Sequence, residues 1–275
     1  DDEHDDENLS DDSPAKDTVA ESGRILSDNV YGNVVEDAFR RDFTVNALYY
    51  SIEDFGVHDY VGALEDIVDQ QLRLIGEPNQ PLTEAAAEKR YREDPVRMLR
   101  AIRLASKLNL TLTAETEAPM ARLAPLLGEV PAARLFDEVL KLLLCKEAAT
   151  NLAQLERYGL WEVLFPHTAV AMREDETALA LITAALSSTT QRIMQGKSTT
   201  PGFLWAALLW PLAQEKWAEY QTTMQPIPAL DVASSMALDL QFQRVAMPRR
   251  HSSMAREIWQ LQPRFTQRRG KRPHS

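Results

Sequence analysis

The sequence predicts a mainly α protein, in which a partial α/β head with few short strands precedes an all-α neck and body. Strand patterns occur only before residue 83, and from there on helical spacings follow one another between Gly and Pro breakers. We find no convincing strand after residue 83. We therefore expect a head at 23–82, a neck at 83–165 and a body at 166–275, after an acidic segment at 1–22.

The head contains several short patterns. Residues 43–50 (FTVNALYY) are apolar, and the run is too short for periodicity to separate helix from strand. Residues 57–61 (VHDYV) alternate and end at Gly62, which predicts a strand. A second short strand is predicted at 71–76 (QLRLIG), with a short helix or turn at 63–69 between the two.

Helix signals dominate the rest of the chain. Thr83 before an alanine run predicts a helix start, and Asp94 followed by Pro95 predicts a cap and the first position of a helix that reaches about Leu108. Apolar side chains at helical spacing form one stripe of that helix, and its arginines lie off the stripe. Further helices are predicted at 113–127, 132–144, 148–158, 177–187, 201–212 and 227–240.

Composition and length describe an ordinary globular chain. The 275 residues are 44% apolar and 26% charged, which excludes a collagen, a wholly disordered chain and a disulfide-stapled miniprotein. No run is long and apolar enough for a membrane span, and no signal peptide is visible. The lone Cys145 forms no disulfide within the chain. These features favour a cytoplasmic protein.

Charge is strongly polarised along the chain. The formal net charge is −11, but residues 1–20 carry a net −8 and residues 244–275 a net +8. The acidic end has almost no apolar side chains to bury, so we expect 1–22 to be a disordered loop. The basic end predicts either a solvated helix or an RNA contact, the latter through Arg264, Arg268, Arg269, Lys271 and Arg272.

Two polar constellations carry candidate chemistry. In the first, Arg40, Arg41 and Asp42 stand before an apolar run, with Asn46 just after. Arginines match phosphates in charge and bidentate geometry, and a carboxylate is a ligand that Mg²⁺ prefers. The same residues are also typical of a structural Arg–Asp ion pair at the start of a helix or strand. The spacing alone favours the ion pair slightly.

The second constellation opens the predicted helix at Asp94. Asp94 and Arg97 are three residues apart and share one helix face, followed by Arg100 one turn later. Residues 88–107 carry a net +4 within an acidic chain. The pair is either a surface ion pair of little energetic value or an acceptor and a donor fork presented to a base edge. The sequence supports both interpretations equally.

Together these motifs resemble the class II template-independent nucleotidyltransferases, which comprise bacterial poly(A) polymerases and tRNA CCA-adding enzymes. The resemblance rests on residues 40–48 (RRDFTVNAL), 59–62 (DYVG), 72–76 (LRLIG) and 93–103 (EDPVRMLRAIR), which follow in the family's order. Within the family the chain looks closest to bacterial poly(A) polymerase, because of residues 26–32 (LSDNVYG), 48–51 (LYYS) and 258–262 (IWQLQ). Ser27 departs from the Arg usual there.

The resemblance implies a role for each motif residue. Asp42 would be an active-site carboxylate and a ligand of Mg²⁺, and Arg41 would contact the nucleotide, with Arg40, Asn46 and Arg100 beside it. Arg97 would donate to the ring acceptors of adenine, and Asp94 would accept from its amino group. The activity implied is transfer of AMP from ATP to RNA 3′ ends.

One departure from the family pattern is large. The family's two-metal site needs a Gly-led strand followed by an Asp-x-Asp pair, and this sequence contains none. The first residue is Asp within an acidic run, so we expect a partial sequence without transferase activity of its own. The alternatives are a tRNA CCA-adding enzyme and a non-catalytic RNA-binding remnant.

Overall fold

A computed structural model describes residues 33–266 of the chain. The predicted loop at 1–22 and four of the predicted RNA-binding residues (Arg268, Arg269, Lys271, Arg272) lie outside this range. The head comprises α1 (Val34–Arg40), a 3₁₀ turn (Thr44–Asn46), β1 (Leu48–Tyr50), β2 (Val57–Asp59), α2 (Ala63–Val68) and β3 (Gln71–Leu72).

Helices make up most of the described chain after residue 83. The neck comprises α3 (Glu84–Glu93), α4 (Val96–Leu108), β4 (Thr111–Leu112), α5 (Ala114–Glu117), α6 (Met120–Leu123), a 3₁₀ segment (Ala124–Glu129), α7 (Ala132–Leu143), α8 (Ala148–Arg157) and α9 (Leu160–Leu164). The body comprises α10 (Pro166–Glu174), α11 (Glu176–Met194), α12 (Pro201–Tyr220), α13 (Pro226–Phe242) and α14 (Arg249–Thr266). The mainly α prediction is therefore confirmed.

Local signals fixed several boundaries correctly. The Thr83 hydroxyl accepts from the Ala86 amide at 3.2 Å and begins α3, as its position predicts. The predicted strand at 57–61 is β2, which pairs antiparallel with β1 so that Tyr49 lies opposite His58. The undecided run at 43–50 divides into the 3₁₀ turn and β1. Only two residues of the predicted strand at 71–76 are β3.

Two predictions about the neck were wrong. A short strand does occur after residue 83, because β4 pairs in parallel with β3 through Gln71–Thr111 and Leu72–Leu112. Two residues are too few for an alternating pattern, and their partner is about 40 positions away. The single helix predicted at 113–127 is three short segments, because Pro119 and Pro125 interrupt backbone hydrogen bonding.

One large apolar core joins the head to the body. It runs from Phe43 and Leu74 in the head through Leu99 in α4 to Trp161 and Trp259. A smaller cluster packs α1 through Ala38 against Ala47 and Ile75. The boundaries predicted near residues 83 and 166 remain predictions. None of the described helices combines the length and apolar character that a bilayer crossing requires.

Thr116 connects the head to the neck through buried hydrogen bonds. It is fully buried, and its hydroxyl accepts from the Leu74 amide at 3.1 Å. Its carbonyl accepts from the Tyr91 hydroxyl of α3 at 2.9 Å. A buried donor and acceptor are costly to leave unpaired, so this residue fixes α3 beside the head.

Replacing Tyr91 with phenylalanine tests this connection. The change keeps the ring and removes the donor to Thr116, so we expect the free energy of unfolding to fall by about 1–2 kcal/mol. Urea denaturation measures it. Tyr50→Phe is the control, because Tyr50 is 64% exposed and its hydroxyl lies at the surface. Equal effects of the two changes would contradict the structural role of the bond.

Candidate active site

All the predicted nucleotide-site residues line one open cleft between the head and the neck. Its volume is about 610 Å³. The predicted residues in its wall are Arg40, Arg41, Asp42, Asn46, Asp94, Arg97 and Arg100. The remaining wall residues, which sequence reasoning did not assign to the site, are Asp37, Arg103, Leu104 and Arg134. The two constellations, separated by about 50 residues of sequence, thus form one site.

The cleft is strongly basic within an acidic chain. Six arginines and three aspartates line it, and Leu104 is its one apolar lining residue. Guanidinium groups bind phosphate oxygens with charge and paired donors. The cleft therefore has the charge and polarity of a site for a polyanionic ligand.

Backbone pairing with the strand region positions Asp42. The chain leaves α1 in an extended conformation, and Phe43 forms an isolated antiparallel bridge with Leu74. The Asp42 carbonyl accepts from the Ile75 amide at 3.0 Å. Nearby, the Thr44 hydroxyl donates to the buried Asp66 carboxylate at 2.6 Å. These hydrogen bonds fix the position of the turn after α1, and therefore of Asp42, in the cleft wall.

The Asp42 carboxylate is almost buried and fully engaged. One oxygen accepts from the Phe43 amide and from Asn46 Nδ2, both at 2.9 Å. The other accepts from Arg100 Nε of α4 at 2.6 Å. The ion pair that the sequence left open therefore exists, but its cation comes from the neck and not from Arg40 or Arg41.

Arg41 belongs to a separate cluster at the cleft rim. Its Nη2 donates to Asp37 at 3.0 Å, and its Nη1 donates to the Asn46 carbonyl at 3.0 Å. The Tyr49 hydroxyl donates to the same Asp37 oxygen at 2.6 Å. The Tyr49 hydrogen bond, followed by that of Arg41, holds the pKa of Asp37 below its usual value. Arg41 is thereby oriented with its charge at the cleft.

Asp37→Asn tests this cluster through pH. A lowered folded-state pKa contributes stability above the unfolded pKa of about 3.9, and the contribution is lost as the pH falls through the folded value. The Asp37 and Arg41 side chains are each about half exposed, so solvent screening limits the loss of unfolding free energy in the variant at pH 7 to less than about 1 kcal/mol. Urea denaturation at pH 7 and pH 2.5 measures the unfolding free energy of both proteins. We expect the difference between the proteins to shrink at the lower pH, and a constant difference would contradict the assignment.

Asp94 occupies the junction between α3 and α4. One of its oxygens accepts from the Val96 amide at 3.2 Å, and the other accepts from Arg134 Nη2 at 2.6 Å. The sequence predicted that Pro95 would be the first helical residue, but the helix begins one residue later, at Val96. The predicted N-cap is therefore wrong by one residue: Pro95 occupies that position, and Asp94, just before it, accepts from the first amide of the helix.

Arg97 is buried in the cleft wall with only 5% of its surface exposed. Its Nη1 donates to Glu93 at 3.1 Å and to the Arg90 carbonyl at 2.8 Å. Asp94 and Arg97 therefore each have another charged partner. They lie side by side in the wall as an acceptor and a donor.

The wall residues missed by sequence reasoning come from α1, α4 and α7. Arg134 of α7 reaches Asp94 from 40 positions away, and Arg103 Nε lies 3.4 Å from the buried Glu138. Arg103 lies in the basic range 88–107, and its position in the sequence does not distinguish it from the other bases of that range. No local pattern marks Arg134, because its role depends on how α7 packs against α4.

The described residues do not by themselves form a metal site. In the range 33–266, no three Asp, Glu, His or Cys side chains lie close enough together to hold a metal ion. Asp42, the predicted ligand, has its oxygens occupied by Asn46 and Arg100. The donor set around Asp42 therefore does not fit Mg²⁺ without further ligands. Arg264, the described member of the predicted RNA-binding set, is exposed on α14 and does not line the cleft.

Three family models match the chain in order. They are the poly(A) polymerase head domain at 4–73, a probable RNA- and SrmB-binding site of polymerase A at 109–172, and the arginine-rich C-terminus of polymerase A at 222–275. All three models describe parts of poly(A) polymerases, and together they match more than half of the chain. The chain therefore belongs to the poly(A) polymerase family.

Curated relatives agree with this assignment. Poly(A) polymerase I of Salmonella typhi is 42% identical over 257 residues, covering 92% of this chain and 53% of the relative. The Haemophilus influenzae protein of the same name is 42% identical over 255 residues, covering 91% and 54%. A CCA-adding enzyme of Levilactobacillus brevis is 39% identical over 130 residues, covering 47% of this chain and 30% of the relative.

Solved structures are more distant in sequence. A tRNA nucleotidyltransferase crystallised with a primer tRNA and an incoming ATP analogue is 22% identical, with a TM-score of 0.49, over 86% of this chain and 66% of that one. The chain spans about half the length of the curated poly(A) polymerases it matches.

Proposed function

We propose that the complete protein transfers AMP from ATP to RNA 3′ ends and that this chain carries its nucleotide-binding cleft. The observation that carries the proposal is the convergence of both motif constellations on one cleft lined by six arginines. Relatives matched over 92% of the chain are poly(A) polymerases. The cytoplasm, as the location of this activity, is part of the same proposal.

The head and the neck contribute different chemistry to the cleft. On the head side, Arg40 and Arg41 would bind the triphosphate. On the neck side, the Asp94 carboxylate would accept from the adenine amino group, and the Arg97 guanidinium would donate to the ring nitrogens. Arg100 contacts Asp42 and so links the two sides.

Mg²⁺ and RNA complete this proposal. Mg²⁺ is the cofactor that family membership implies, with Asp42 as one ligand, and the other ligands would lie outside the described residues. In that site the ion would neutralise charge on the reacting phosphates. The basic C-terminal region, comprising Arg264, Arg268, Arg269, Lys271 and Arg272, would contact the RNA backbone.

Nucleotide titration of this chain tests the proposal. We expect saturable ATP binding that is tighter than CTP binding by about tenfold or more, because one base edge fits the Asp94–Arg97 pair. Arg41→Met should weaken ATP binding by about tenfold, because it removes a charged donor. Arg173→Met is the control, since Arg173 is 59% exposed and pairs with Glu162 of α9.

The result also separates the alternatives. Equal or tighter CTP binding, with CTP incorporation into trimmed tRNA by the complete protein, would favour CCA addition. Absence of saturable nucleotide binding would contradict the proposal and favour a non-catalytic RNA-binding module. We expect no RNA tailing by this chain alone, so ATP-dependent tailing by it would contradict that expectation.

A further inference from the structure

Arg90 lies behind the cleft, in the last turn of α3. It does not line the cleft, and only 14% of its side chain is exposed. Its Nη2 donates to the carbonyls of Arg40 and Arg41, which are the two residues that precede Asp42. One neck side chain thus binds the backbone of the head at the proposed triphosphate side of the site.

The same guanidinium also contacts the proposed base side. Its Nη1 donates to Glu93 at 3.2 Å, and the same Glu93 oxygen accepts from Arg97 at 3.1 Å. The Arg90 carbonyl accepts from Arg97 at 2.8 Å. Arg90, Glu93 and Arg97 therefore form a continuous chain of bonds from the backbone beside Asp42 to the residue proposed to contact the base.

We propose that Arg90 is a positioning residue that sets the distance between the triphosphate side and the base side of the cleft. Two cations this close together and largely buried are costly unless they are paired, and Glu93 is their shared partner. The planar guanidinium donates to the two carbonyls and the carboxylate from two separate nitrogens in a fixed geometry, which the single nitrogen of a lysine does not reproduce. The inference rests on the proposed nucleotide site for its ligand readout.

The ligand experiment compares ATP with inorganic tripolyphosphate on the full chain. Tripolyphosphate engages the triphosphate side alone, whereas ATP must span both sides. In Arg90→Met we expect the preference for ATP over tripolyphosphate to fall by about tenfold. Without Arg90 the distance between the two sides is no longer fixed, so the triphosphate contact and the base contact of ATP no longer form together. Binding of tripolyphosphate itself should stay within about twofold of wild type.

Arg92→Met is the matched control. Arg92 lies on the same helix, its side chain is 55% exposed, and it pairs with Glu88 at 2.6 Å. The two variants lose the same charge, but Arg92 contacts neither side of the cleft. We therefore expect Arg92→Met to keep the wild-type preference for ATP over tripolyphosphate. An Arg90→Met protein that unfolds cooperatively and also keeps the wild-type preference would overturn the proposal. Arg90→Lys keeps the charge without the fork, so it provides the same test if the methionine variant does not fold.

Hydrogen exchange tests the positioning without any ligand. The Thr44 amide donates to the Arg73 carbonyl, and the Ile75 amide donates to the Asp42 carbonyl. In Arg90→Met we expect both amides to exchange at least about tenfold faster than in wild type and in Arg92→Met, because the backbone beside them loses its anchor. Unchanged exchange would overturn the proposal. Should the wild-type chain bind neither ligand, the proposed function fails and this measurement alone decides the role of Arg90.

Discussion

Replacing Trp259 with alanine is expected to lower the free energy of unfolding by about 3–5 kcal/mol, the range for removing a large buried aromatic side chain. Trp259 is 1% exposed, and its Nε1 donates to the Ala206 carbonyl of α12 at 2.9 Å. It anchors α14 to α12. The two helices approach so closely that a Cβ atom at Gly202 would lie 2.8 Å from the Met254 sulfur. The surrounding helices therefore have little freedom to close the cavity that the alanine leaves.

Urea denaturation measures this loss, and two further variants define its origin. Leu261→Ala, on the same helix but 43% exposed, should change the free energy of unfolding by less than about 1 kcal/mol. Trp259→Phe fills part of the space without the donor, so its loss should fall between the two. A loss below about 1 kcal/mol in Trp259→Ala would show that α14 contributes little to the stability of the core.

Local sequence signals predicted the elements that carry the site. The cap at Thr83, the Asp94–Pro95 break and the end of α4 at Leu108 all depend on neighbouring residues, and the structure has them within one residue of the predicted positions. The motif residues also converge on one cleft, as the resemblance implies. Short-range patterns and a shared motif order therefore selected residues that the fold brings to one cleft, and the roles of these residues remain predictions.

The partners of the charged side chains could not be predicted in the same way. Asp42 pairs with Arg100 from 58 positions away, and Asp94 pairs with Arg134 from 40 positions away. The nearest candidate partners in sequence, Arg41 and Arg97, pair instead with Asp37 and Glu93. Pair formation depends on which helices pack together, and a one-dimensional pattern does not contain that information. The two-residue strand β4 was missed for the same reason.

The contacts of Asp94 lead to a prediction about the proposed selectivity for the base. One carboxylate oxygen accepts from the Val96 amide and the other accepts from Arg134, so the carboxylate plane is fixed from two directions. A carboxylate only accepts hydrogen bonds. Adenine presents an amino donor at the position where guanine presents a carbonyl oxygen, so under the proposed function an acceptor held in this orientation would attract adenine and repel guanine.

Asp94→Asn is therefore expected to reduce the selectivity of the chain for ATP over GTP. The amide has the same shape, and its oxygen still accepts from the Val96 amide. Its NH₂ group replaces the oxygen that accepts from Arg134, so the contact with Arg134 is lost. The NH₂ group then donates to the guanine carbonyl oxygen. A matched base contact is worth about 1–3 kcal/mol of discrimination, so the ratio of ATP to GTP affinity should fall by about tenfold to 100-fold.

Competition titration of both nucleotides against the wild type and the variant measures that ratio. Asp137→Asn is the matched control: Asp137 is exposed on α7, the helix that also carries Arg134, and it does not line the cleft. The two variants lose the same charge, so a general weakening of nucleotide binding through electrostatics would appear in both. If only Asp94→Asn changes the ratio of ATP to GTP affinity, and Asp137→Asn does not, base recognition is assigned to the Asp94 carboxylate. An unchanged ratio in a folded Asp94→Asn protein would place base recognition elsewhere in the cleft.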